Sequence, residues 1–563
     1  MNWKINTTIT KKSKLARLKQ IVDQLLKSRN LSTEKEIKDF LSPPHPKNIK
    51  LSDVSLDSSN LDTASTRIFS AIANNETILI FGDYDADGIS ATAILWLSLN
   101  RLGANAFPFI PHRKRHGYGL SISGIKEAIQ THQPDLIITV DNGIVAHEAA
   151  DFLKTQKRDL IITDHHQLPS KLPHALAIVH SDQIAGSAVA WFLSRHLLEN
   201  NTKPSPNQLD PYSTLDILAI GTISDLMPMV GVNRSLAMHG LKTLSTSSRP
   251  GLIALKQEAG IQSDQQLSTY HVGFVIGPRI NAMGRLEHGL DALRLLCTSN
   301  SDSANMLANK LSSTNRTRQD LTQEMVTLAE SLLETQTQTS NIIIIDHQDF
   351  HEGIIGLIAG KLTEKYYKPT IVISRGEQIS KASARSVSGV NITKLIRTQK
   401  SHLVNVGGHP QAAGFTIMTE QIEQFSQNLS NSSLDLISKE HLIKQLSIDA
   451  LINFSDISYD LYNQIKKFSP FGISNPKPVF AATAQIVDHK LLGRNQQHLK
   501  LKLISPDTIS KKDTFDAIGF NMASHYSDLS TGARLDIAFT LEENHFRGHT
   551  SLQLQIKDIK PAI

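Results

Sequence analysis

The stretch TILIFGDYDADG, residues 77–88, decides how the first large domain of this chain folds. Its first five residues are β-branched or apolar, and an unbroken apolar run of this length is typical of a strand buried in a parallel sheet. A glycine and three aspartates follow at once, where the carboxyl end of such a strand faces a ligand crevice. The stretch therefore predicts an open α/β sheet with an acidic site at its edge.

Later stretches repeat this arrangement of an apolar run followed by an acidic turn. Asp141 follows the run at 135–140, and the sequence Asp-His-His at 164–166 follows the run at 159–163. A fourth acidic position, Asp225, ends an apolar segment of helical spacing. Because strands alternate with helical stretches in this part of the chain, we expect βαβ units whose carboxylates and imidazoles gather at one edge of the sheet.

Carboxylates and imidazoles gathered in this way indicate a metal-dependent hydrolase. Mg²⁺ and Mn²⁺ prefer carboxylate oxygens, and imidazole joins more readily around Mn²⁺. Two ions about 4 Å apart can share a bridging carboxylate, activate water and stabilise a leaving oxygen. A lone aspartate at a strand end is otherwise a helix cap or a turn residue, but four such motifs in order favour metal ligation. The candidate ligands are Asp85, Asp87, Asp141 as the bridge, His165 and Asp225.

The composition is that of an ordinary globular protein, and at 563 residues we expect three or four domains. The net charge of +5 permits an anionic partner without requiring one. The single cysteine, Cys297, excludes a disulfide within the chain and fits a cytoplasmic location. The sequence has neither an apolar signal core at its start nor the run of about 20 apolar residues that spans a membrane.

The spacing of helical stretches and apolar strands along the chain predicts an α/β protein with a C-terminal β-barrel. Residues 301–340 contain neither glycine nor proline, which favours one long helix, and a new apolar strand begins at 341. Five short alternating strands after residue 450 suit an OB-fold. The expected segments are a helical lead-in (1–60), a parallel-sheet catalytic domain (61–230), a helical connecting region (231–340), a second α/β domain (341–432) and an OB-fold-like domain (450–563).

The motifs resemble those of the DHH phosphoesterase superfamily, which is named after the residue types at 164–166. Over most of residues 70–560 their order is similar to that of the RecJ family of single-strand-specific exonucleases. Further motifs that carry this resemblance are Pro111-His112-Arg113, the sequence GPRINAMGR at 277–285, the sequence EGIIG at 352–356, Gly407-Gly408-His409, and Pro470-Phe471-Gly472 with Asn475-Pro476.

The resemblance implies a DHH domain and a DHH-associated domain joined by a long helix, followed by an OB-fold-like domain that binds nucleic acid. It implies a 5′→3′ exonuclease that uses Mn²⁺ or Mg²⁺ to hydrolyse single-stranded DNA to 5′-mononucleotides. DNA repair, including mismatch repair, and recombination are the implied processes. The implied setting is a cytoplasmic monomer that works with a single-strand-binding protein and a RecQ-type helicase.

The resemblance also assigns roles around the metal site. The five candidate ligands match the family's metal ligands, and the catalytic group comprises Asp83, Asp164 and His166, with His166 at the scissile phosphate. Phe81 stands where related small phosphoesterases carry a metal-binding histidine. One ion should therefore have fewer protein ligands, and we expect Asp83 to contact it directly or through water. The sequence also departs from the family at His180, where an Asn-Pro or Asp-Pro pair is expected after valine.

Substrate-binding positions follow from the same resemblance. Arg113 and Ser383 match positions that hold a terminal 5′ phosphate, and Arg385 and His409 match further phosphate contacts. A planar guanidinium such as that of Arg385 offers a forked donor to phosphate oxygens. The connecting region contributes positions that either line the path of the strand or pack a hinge, namely Arg279, Asn281 and Arg285.

The barrel-like tail offers a possible single-strand platform, because OB-folds bind nucleic acid through a basic groove and exposed aromatic rings. Lys500 and Lys502 alternate along one predicted strand and should share a face. An ordinary solvated face is the alternative. The candidates are Phe480, His498, Lys500, Lys502, Phe546 and Arg547.

Two rival functions stay open from the sequence. A small-substrate DHH phosphoesterase, such as a nanoRNase or a cyclic dinucleotide hydrolase, would share the metal site but normally lacks a C-terminal OB-like domain. An inactive DHH scaffold that only binds DNA would have lost motif carboxylates, whereas this chain keeps all of them. Both comparisons favour the exonuclease.

Overall fold

In the computed structural model no helix of the described part of the chain is long and apolar enough to cross a membrane. The described residues are 1–117, 119–201, 210–334, 340–506, 514–546 and 548–562. They divide into two compact units, one made of Met1–His45, Pro228–Met238 and Gln445–Ile563, and the other made of Pro46–Met227 and His239–Lys444.

The amino-terminal segment belongs to the unit that contains the barrel. Ile21 and Leu25 are buried in the same apolar core as residues of the C-terminal strands, and Arg17 forms a buried ion pair with Asp456. A first strand pairs in parallel with Gln445–Ile448, which the prediction of a purely helical lead-in did not include. The elements are β1 (Asn2–Ile5), α1 (Lys14–Lys27) and α2 (Glu34–Leu41).

The catalytic domain alternates helices and short strands as the sequence predicts. The three strands expected from apolar runs are all present, and the positions inside them are almost completely buried. The elements are α3 (Ser58–Ala73), β2 (Thr77–Phe81), α4 (Ala86–Arg101), β3 (Asn105–Phe109), α5 (Arg113–His116), α6 (Ile122–His132), β4 (Leu136–Val140), α7 (His147–Thr155), β5 (Asp159–Asp164), β6 (Ala177–His180) and α8 (Gly186–Glu199).

Their sheet is entirely parallel, with the strand order β3-β2-β4-β5-β6. The strand β2 lies beside β4, and β4 lies beside β5, so the turns that follow these three strands share one edge. This edge is where an open parallel sheet places its ligand crevice. The order therefore brings the acidic motifs together although about 80 residues separate the first from the third.

Helices connect the catalytic domain to the second α/β domain. The long helix expected over 301–340 is present over 34 residues, and residues 335–339 lie outside the described part. A π-helical segment, His271–Ile276, precedes the helix that carries the GPRINAMGR motif. The elements are α9 (Leu215–Ser224), α10 (Gly231–Ser245), α11 (Pro250–Glu258), α12 (Gly277–Leu286), α13 (Leu290–Cys297) and α14 (Ser301–Glu334).

The second α/β domain has a mixed five-stranded sheet. It comprises β7 (Ile343–His347), α15 (Ile355–Tyr366), β8 (Thr370–Ser374), β9 (Ile379–Arg385), α16 (Ile392–Arg397), β10 (Leu403–His409), β11 (Ala412–Met418) and α17 (Ile422–Leu436). The strand order is β10-β11-β9-β8-β7, and only β7 and β8 pair in parallel. The sheet places Ser383 and Arg385 on β9 and His409 at the end of the edge strand β10.

The C-terminal strands form a closed barrel, which confirms the OB-like prediction. The elements are β12 (Gln445–Ile448), β13 (Ala450–Leu451), α18 (Tyr459–Lys466), β14 (Phe480–Leu492), β15 (His498–Ile504), β16 (Phe515–Gly519), β17 (Arg534–Phe546) and β18 (His549–Pro561). Five strands pair in the order β14-β15-β16-β18-β17, and pairing of β14 with β17 closes the sheet. Closure leaves no free edge in the ring of five strands.

Candidate active site

The first acidic motif forms the turn between β2 and α4. Asp85 is the N-cap of α4, and its Oδ1 accepts hydrogen bonds from the backbone N–H groups of Asp87 and Gly88, both at 3.0 Å. A carboxylate has two oxygens with several lone pairs, so capping with one oxygen leaves capacity for a cation. The helix-cap alternative and the metal-ligand hypothesis are thus compatible at this residue.

The backbone at the amino terminus of α8 comes close to the carboxylates of both Asp87 and Asp141. Asp141 has a left-handed conformation, with φ of 63°, directly after β4. A Cβ at Gly186 would lie 2.4 Å from Asp141 Oδ1, so only glycine lets the start of α8 come this close. The N–H groups of Gly186 and Ser187 donate to Asp87 at 2.7 and 3.1 Å. The amino terminus of α8 therefore fixes one carboxylate and packs against the other.

His165 faces three of the four predicted carboxylate ligands. Its Nε2 lies 3.2 Å from Asp141 Oδ1, 3.7 Å from Asp225 Oδ2 and 4.0 Å from Asp87 Oδ2. Three overlapping sets of side chains have ligand atoms within 4.8 Å of one another. These sets are Asp83, Asp85 and Asp141; Asp87, His165 and Asp225; and Asp141, His165 and His166.

Crowding of negative charge shifts the acidity of these groups. Burial, followed by the charges of the neighbouring Asp87 and Asp85, raises the pKa of Asp225 to about 9. Burial and the charge of Asp85 raise the pKa of Asp83 to about 8. The pKa of Asp141 is well above its ordinary value for the same reasons. The carboxylates thus repel one another strongly when they are all ionised.

These residues fit a divalent cation. Asp83 Oδ2 and Asp141 Oδ1 are buried and accept no hydrogen bond from any described residue. A buried carboxylate oxygen without a donor is costly, and a bound cation would satisfy it. Carboxylates with one or two imidazoles are a donor set that suits Mn²⁺ and Mg²⁺. The set that contains Asp83 has carboxylates only, while Phe81 is fully buried and packs on Phe109 with ring centroids 5.0 Å apart.

Asp164 favours the cationic form of His166. Its Nδ1 lies 2.7 Å from Asp164 Oδ1, and Asp164 also accepts from the N–H groups of Ile144, His165 and His166. Burial opposes protonation, but the hydrogen bond and charge of Asp164 outweigh it and raise the pKa of His166 to about 9. Asp164 therefore orients and charges His166. The ring of His180, where the sequence departs from the family pattern, lies 2.7 Å from the carbonyl oxygen of His166 and supports the same loop.

Basic side chains form a second cluster beside the acidic one. Arg385 Nη1 donates to Ser383 Oγ at 3.1 Å, and a Cβ at Gly356 would lie 3.0 Å from both side chains. The guanidinium of Arg113 lies over the ring of Tyr84, 5.1 Å from its centroid. Glycine at 356 thus keeps space open in front of Arg385 and Ser383.

Arg285 connects these groups into one cluster. Burial and then the charges of Arg113, Arg318 and Arg385 lower its pKa to about 10, while Asp85 acts in the opposite direction. Arg318 lies on α14 and was not predicted as a site residue, yet its Nε is buried and has no hydrogen-bond partner within the described ranges. An arginine on a long helix is usually solvated, so no sequence signal marked it. We call Arg113, Arg285, Arg318 and Arg385 the arginine cluster.

The predicted residues of α12 make packing contacts. Asn281 Oδ1 accepts from the N–H of Ala86 at 2.8 Å, so Asn281 supports the acidic turn. Arg285 Nη1 donates to the carbonyl of Gly353 at 3.1 Å, and Arg279 Nη1 donates to the carbonyl of Val275 at 2.7 Å. These contacts suit the hinge-packing alternative, and a role along the DNA path stays a prediction. His409 is exposed, and its charge is one of those that lower the pKa of His165, after burial and His166.

The predicted platform on the barrel needs correction. Phe480 is fully buried and packs on Phe539, so it belongs to the core and the prediction that it binds bases is wrong. Lys500 pairs with Asp516 at 2.7 Å, whereas Lys502 is exposed. His498 lies edge-on against Phe520, which is 50% exposed and was not predicted. The side chain of Phe546 and the whole of Arg547 lie outside the described residues.

The parallel sheet, the acidic and imidazole groups at its edge and the facing arginines define a metal-dependent phosphoesterase. Three family descriptions match the chain: the DHH family N-terminal domain over residues 77–222, the DHHA1 domain over 338–432 and the RecJ OB domain over 448–558.

Whole-chain relatives give the family. The chain is 33% identical to the single-stranded-DNA-specific exonuclease RecJ of Bacillus subtilis over 96% of this chain and 67% of that protein. It is 31% identical to RecJ of Haemophilus influenzae over 96% of both. The crystal structure of Thermus thermophilus RecJ with Mn²⁺ matches with a TM-score of 0.81 and 26% identity, covering 100% of this chain and 80% of that one, and its Mg²⁺ complex matches with 0.75. This chain belongs to the RecJ family.

Proposed function

We propose that this protein hydrolyses single-stranded DNA from its 5′ end and releases 5′-mononucleotides in a reaction that needs Mn²⁺ or Mg²⁺. The observation that carries the proposal is the pairing of two opposite clusters: buried carboxylates that suit divalent cations, and arginines that suit phosphate oxygens. Two relatives that align with 96% of this chain are named single-stranded-DNA-specific exonucleases.

The metal ions would be held by Asp83, Asp85, Asp87, Asp141, His165 and Asp225. When bound, they supply water activation and stabilise charge on the attacked phosphate and the leaving oxygen. Asp141 would be the carboxylate shared between ligand sets, because among the described carboxylates it alone belongs to two of the three candidate sets.

The chain's own groups bind and orient the phosphodiester. Asp164 holds His166 and raises the pKa of its imidazole, so the imidazolium can donate to a phosphoryl oxygen as charge develops. Asp164 acts on the phosphate only through His166. Arg385 and Arg113 stand on opposite domains of the same compact unit, so both can contact one DNA end.

The preference for the 5′ end is proposed to come from Arg113, Ser383 and Arg385. Ser383 and Arg385 share a hydrogen bond, and the space kept open by Gly356 lies directly beside them. A terminal phosphate carries more charge than an internal phosphodiester and would gain more from several guanidinium groups. The enzyme is therefore expected to prefer strands whose 5′ end carries a phosphate and to begin cleavage at that end.

The OB domain is proposed to bind the strand away from the reacting end. Exposed Lys502 and the half-exposed ring of Phe520 next to His498 are the features that support it. Lys502→Ala should weaken DNA binding about equally for all sequences and reduce the salt dependence of log K by about one. Lys467→Ala, at an exposed lysine on the same unit, serves as the matched control.

The decisive experiment uses a 20-nucleotide single strand labelled at either end, its duplex and a dinucleotide, each incubated with the protein and Mn²⁺. We expect mononucleotides from the 5′ end of the single strand and little product from the duplex. Cleavage of the dinucleotide with an intact 20-mer would instead indicate a small-substrate phosphoesterase. Binding without any cleavage, with the metal bound, would indicate a scaffold.

The cellular setting is proposed from family membership. We propose a cytoplasmic monomer in DNA repair, including mismatch repair, and recombination that works with single-strand-binding protein and a RecQ-type helicase. Light scattering after size-exclusion chromatography tests the monomer, and binding assays with each purified partner test the pairing.

A further inference from the structure

An exposed pair of aromatic rings lies on the segment that leads into α12. Tyr270 is 61% exposed and Phe274 is 73% exposed. Their ring centroids are 5.3 Å apart and the ring planes make an angle of 23°, so the rings stack on each other. They are four positions apart in the sequence, which places both side chains on one face of a helical segment.

The backbone under this pair is well anchored. Val272 and Ile276 are almost fully buried, and His271 is fixed by contacts with Ser268 at 3.1 Å and Gln265 at 3.0 Å. The segment His271–Ile276 is π-helical, a conformation that is rare and is frequent at functional sites. The exposure of the two rings is therefore a property of a firmly packed segment and does not result from loose packing.

The segment that carries the pair contacts the helix that leads to the metal site. A Cβ at Gly277 would come within 2.5 Å of Ser224 Oγ, so the end of the π-helical segment touches the end of α9. Ser224 directly precedes Asp225, whose carboxylate faces His165. Phe274 is three residues before Gly277, which is about one helical turn. A strand that ran from Asp225 along this segment would pass the two rings.

Positive charge accompanies the rings. Arg279 is fixed to the carbonyl of Val275 at 2.7 Å, and its pKa is lowered first by burial and then by the charge of Arg316, with Glu258 opposing. A guanidinium group fixed to the residue next to Phe274, with a second guanidinium charge acting on it, matches a ligand that carries both phosphates and planar bases.

We propose that Tyr270 and Phe274 stack against unpaired bases of the substrate, on the part of the strand still to be degraded, while Arg279 and Arg316 contact its phosphates. This inference rests on the proposed function. A base exposes its flat face to a protein ring only when it is not stacked inside a duplex, so the pair adds a second source of single-strand preference. Because every base has such a face, the contact tolerates any sequence.

The test compares the Tyr270→Ala/Phe274→Ala double variant with the wild type, both as the Mn²⁺ holoenzyme. The substrates are a 20-nucleotide oligothymidylate, the same strand with abasic residues at nucleotides 3–6, and a dinucleotide too short to reach the pair. Leu434→Ala, at an exposed apolar residue on α17, is the matched control. Tyr270→Phe and Phe274→Tyr keep the rings and should retain wild-type behaviour.

We expect the double variant to lose about tenfold or more in kcat/KM on the 20-mer, mainly through KM, and to cleave the dinucleotide normally. The wild type should degrade the abasic strand as slowly as the double variant degrades the intact one. Equal kcat/KM of double variant and wild type on the 20-mer would overturn the inference and favour a protein partner for the rings. An equal loss on the dinucleotide would also overturn it, because it would indicate general damage.

A second measurement does not depend on truncating the rings. In a Phe274→Trp variant, stacking on a base should quench tryptophan fluorescence when the holoenzyme is mixed with the 20-mer in a stopped-flow instrument. The abasic strand should leave the signal unchanged. Unchanged fluorescence with the intact strand would contradict the contact. If the wild type itself fails to degrade single-stranded DNA, the proposed function fails, which is a separate outcome.

Discussion

The acidic cluster is the group of carboxylates at the proposed metal site, and it belongs to the same compact unit as the arginine cluster. Each cluster crowds charges of one sign, negative in the first and positive in the second. In the acidic cluster, burial and neighbouring carboxylates raise the pKa values of Asp83, Asp141 and Asp225. In the arginine cluster, burial and neighbouring guanidinium groups lower the pKa of Arg285. Each cluster crowds like charges that a pair of separated, solvated groups would avoid.

The two clusters differ in the kind of ligand whose charge would neutralise them. Divalent cations would neutralise the carboxylates, whereas phosphate oxygens would neutralise the guanidinium groups. A phosphodiester between the two clusters would meet the ions with one set of oxygens and the arginines with another. Crowding of like charges therefore lowers the stability of the free protein at both clusters and favours ligand binding there, as is common where charges are arranged for function.

The largest effect is expected from Asp141→Asn, which keeps the shape of the side chain and removes one ionisable group. Activity on single-stranded DNA should fall on the order of 10³-fold or more, the scale of losing a key group that stabilises transition-state charge. Without metal, the variant should be more stable than the wild type at neutral pH, because one repelling buried carboxylate is gone. Nuclease assays and thermal unfolding in chelator measure both effects.

The control for Asp141→Asn is Asp151→Asn, at an exposed carboxylate on α7. It should change neither quantity. Full activity of Asp141→Asn would refute the assignment of Asp141 as a bridging ligand.

Arg385→Ala tests the opposite cluster next to Ser383, one of the two predicted 5′-phosphate positions. A charge-assisted hydrogen bond contributes roughly 1.5–3 kcal/mol, so kcat/KM on a 5′-phosphorylated strand should fall about ten- to hundredfold. A strand with a 5′-hydroxyl should be affected much less. Arg375→Ala, whose partner is Asp346 in the same domain, should retain the wild-type preference. An equal loss on both strands would contradict selective recognition of the terminal phosphate.

Arg318→Ala tests the member of the arginine cluster that was not predicted from the sequence. Its buried Nε should find a phosphate oxygen only when DNA is bound, so we expect about tenfold weaker binding by fluorescence anisotropy. The free protein should unfold at the same or a higher temperature, because repulsion from Arg285 is relieved. Arg294→Ala, at an exposed arginine paired with Asp291, is the control. Strong destabilisation with unchanged DNA binding would indicate a structural role.

The smallest effect concerns pH and chelation. The raised pKa values of about 8 for Asp83 and about 9 for Asp225 and His166 mean that the folded, metal-free protein binds more protons than the unfolded chain between pH 7 and 9. Its free energy of unfolding should therefore fall as pH rises through this window. Saturating Mn²⁺ should flatten or reverse the trend. Denaturant titrations at each pH, with chelator or with Mn²⁺, measure it, and a rise of metal-free stability with pH would contradict these shifts.

Much of the site could be predicted because its signals are local. An apolar run followed by Asp83, Asp85 and Asp87 marks both a strand and the acidic turn after it, and the same holds for Asp141 and for residues 164–166. The parallel sheet then brings these turns together. The helix that ends at Ser224 places Asp225 beside them in the same way.

The parts that sequence reasoning missed depend on contacts between distant segments. The N–H groups of Gly186 and Ser187 hold Asp87 from about 100 residues away, and Arg318 reaches the arginine cluster from a helix with no local motif. The amino-terminal helices enter the core of the barrel through residues such as Ile21. Phe480 was misassigned because alternation along a strand does not show which face is inside a closed barrel.

The sequence by itself determined the fold class, three strands of the catalytic sheet and the chemistry of the acidic site, because short-range patterns of apolar, acidic and glycine residues encode them directly. Only the tertiary structure decided which charges face one another, which carboxylate caps a helix as well as facing the site, and which rings stay exposed beside it. Charge and burial act through space, so the pKa shifts, the arginine cluster and the pair at Tyr270 and Phe274 exist only once the chain is folded.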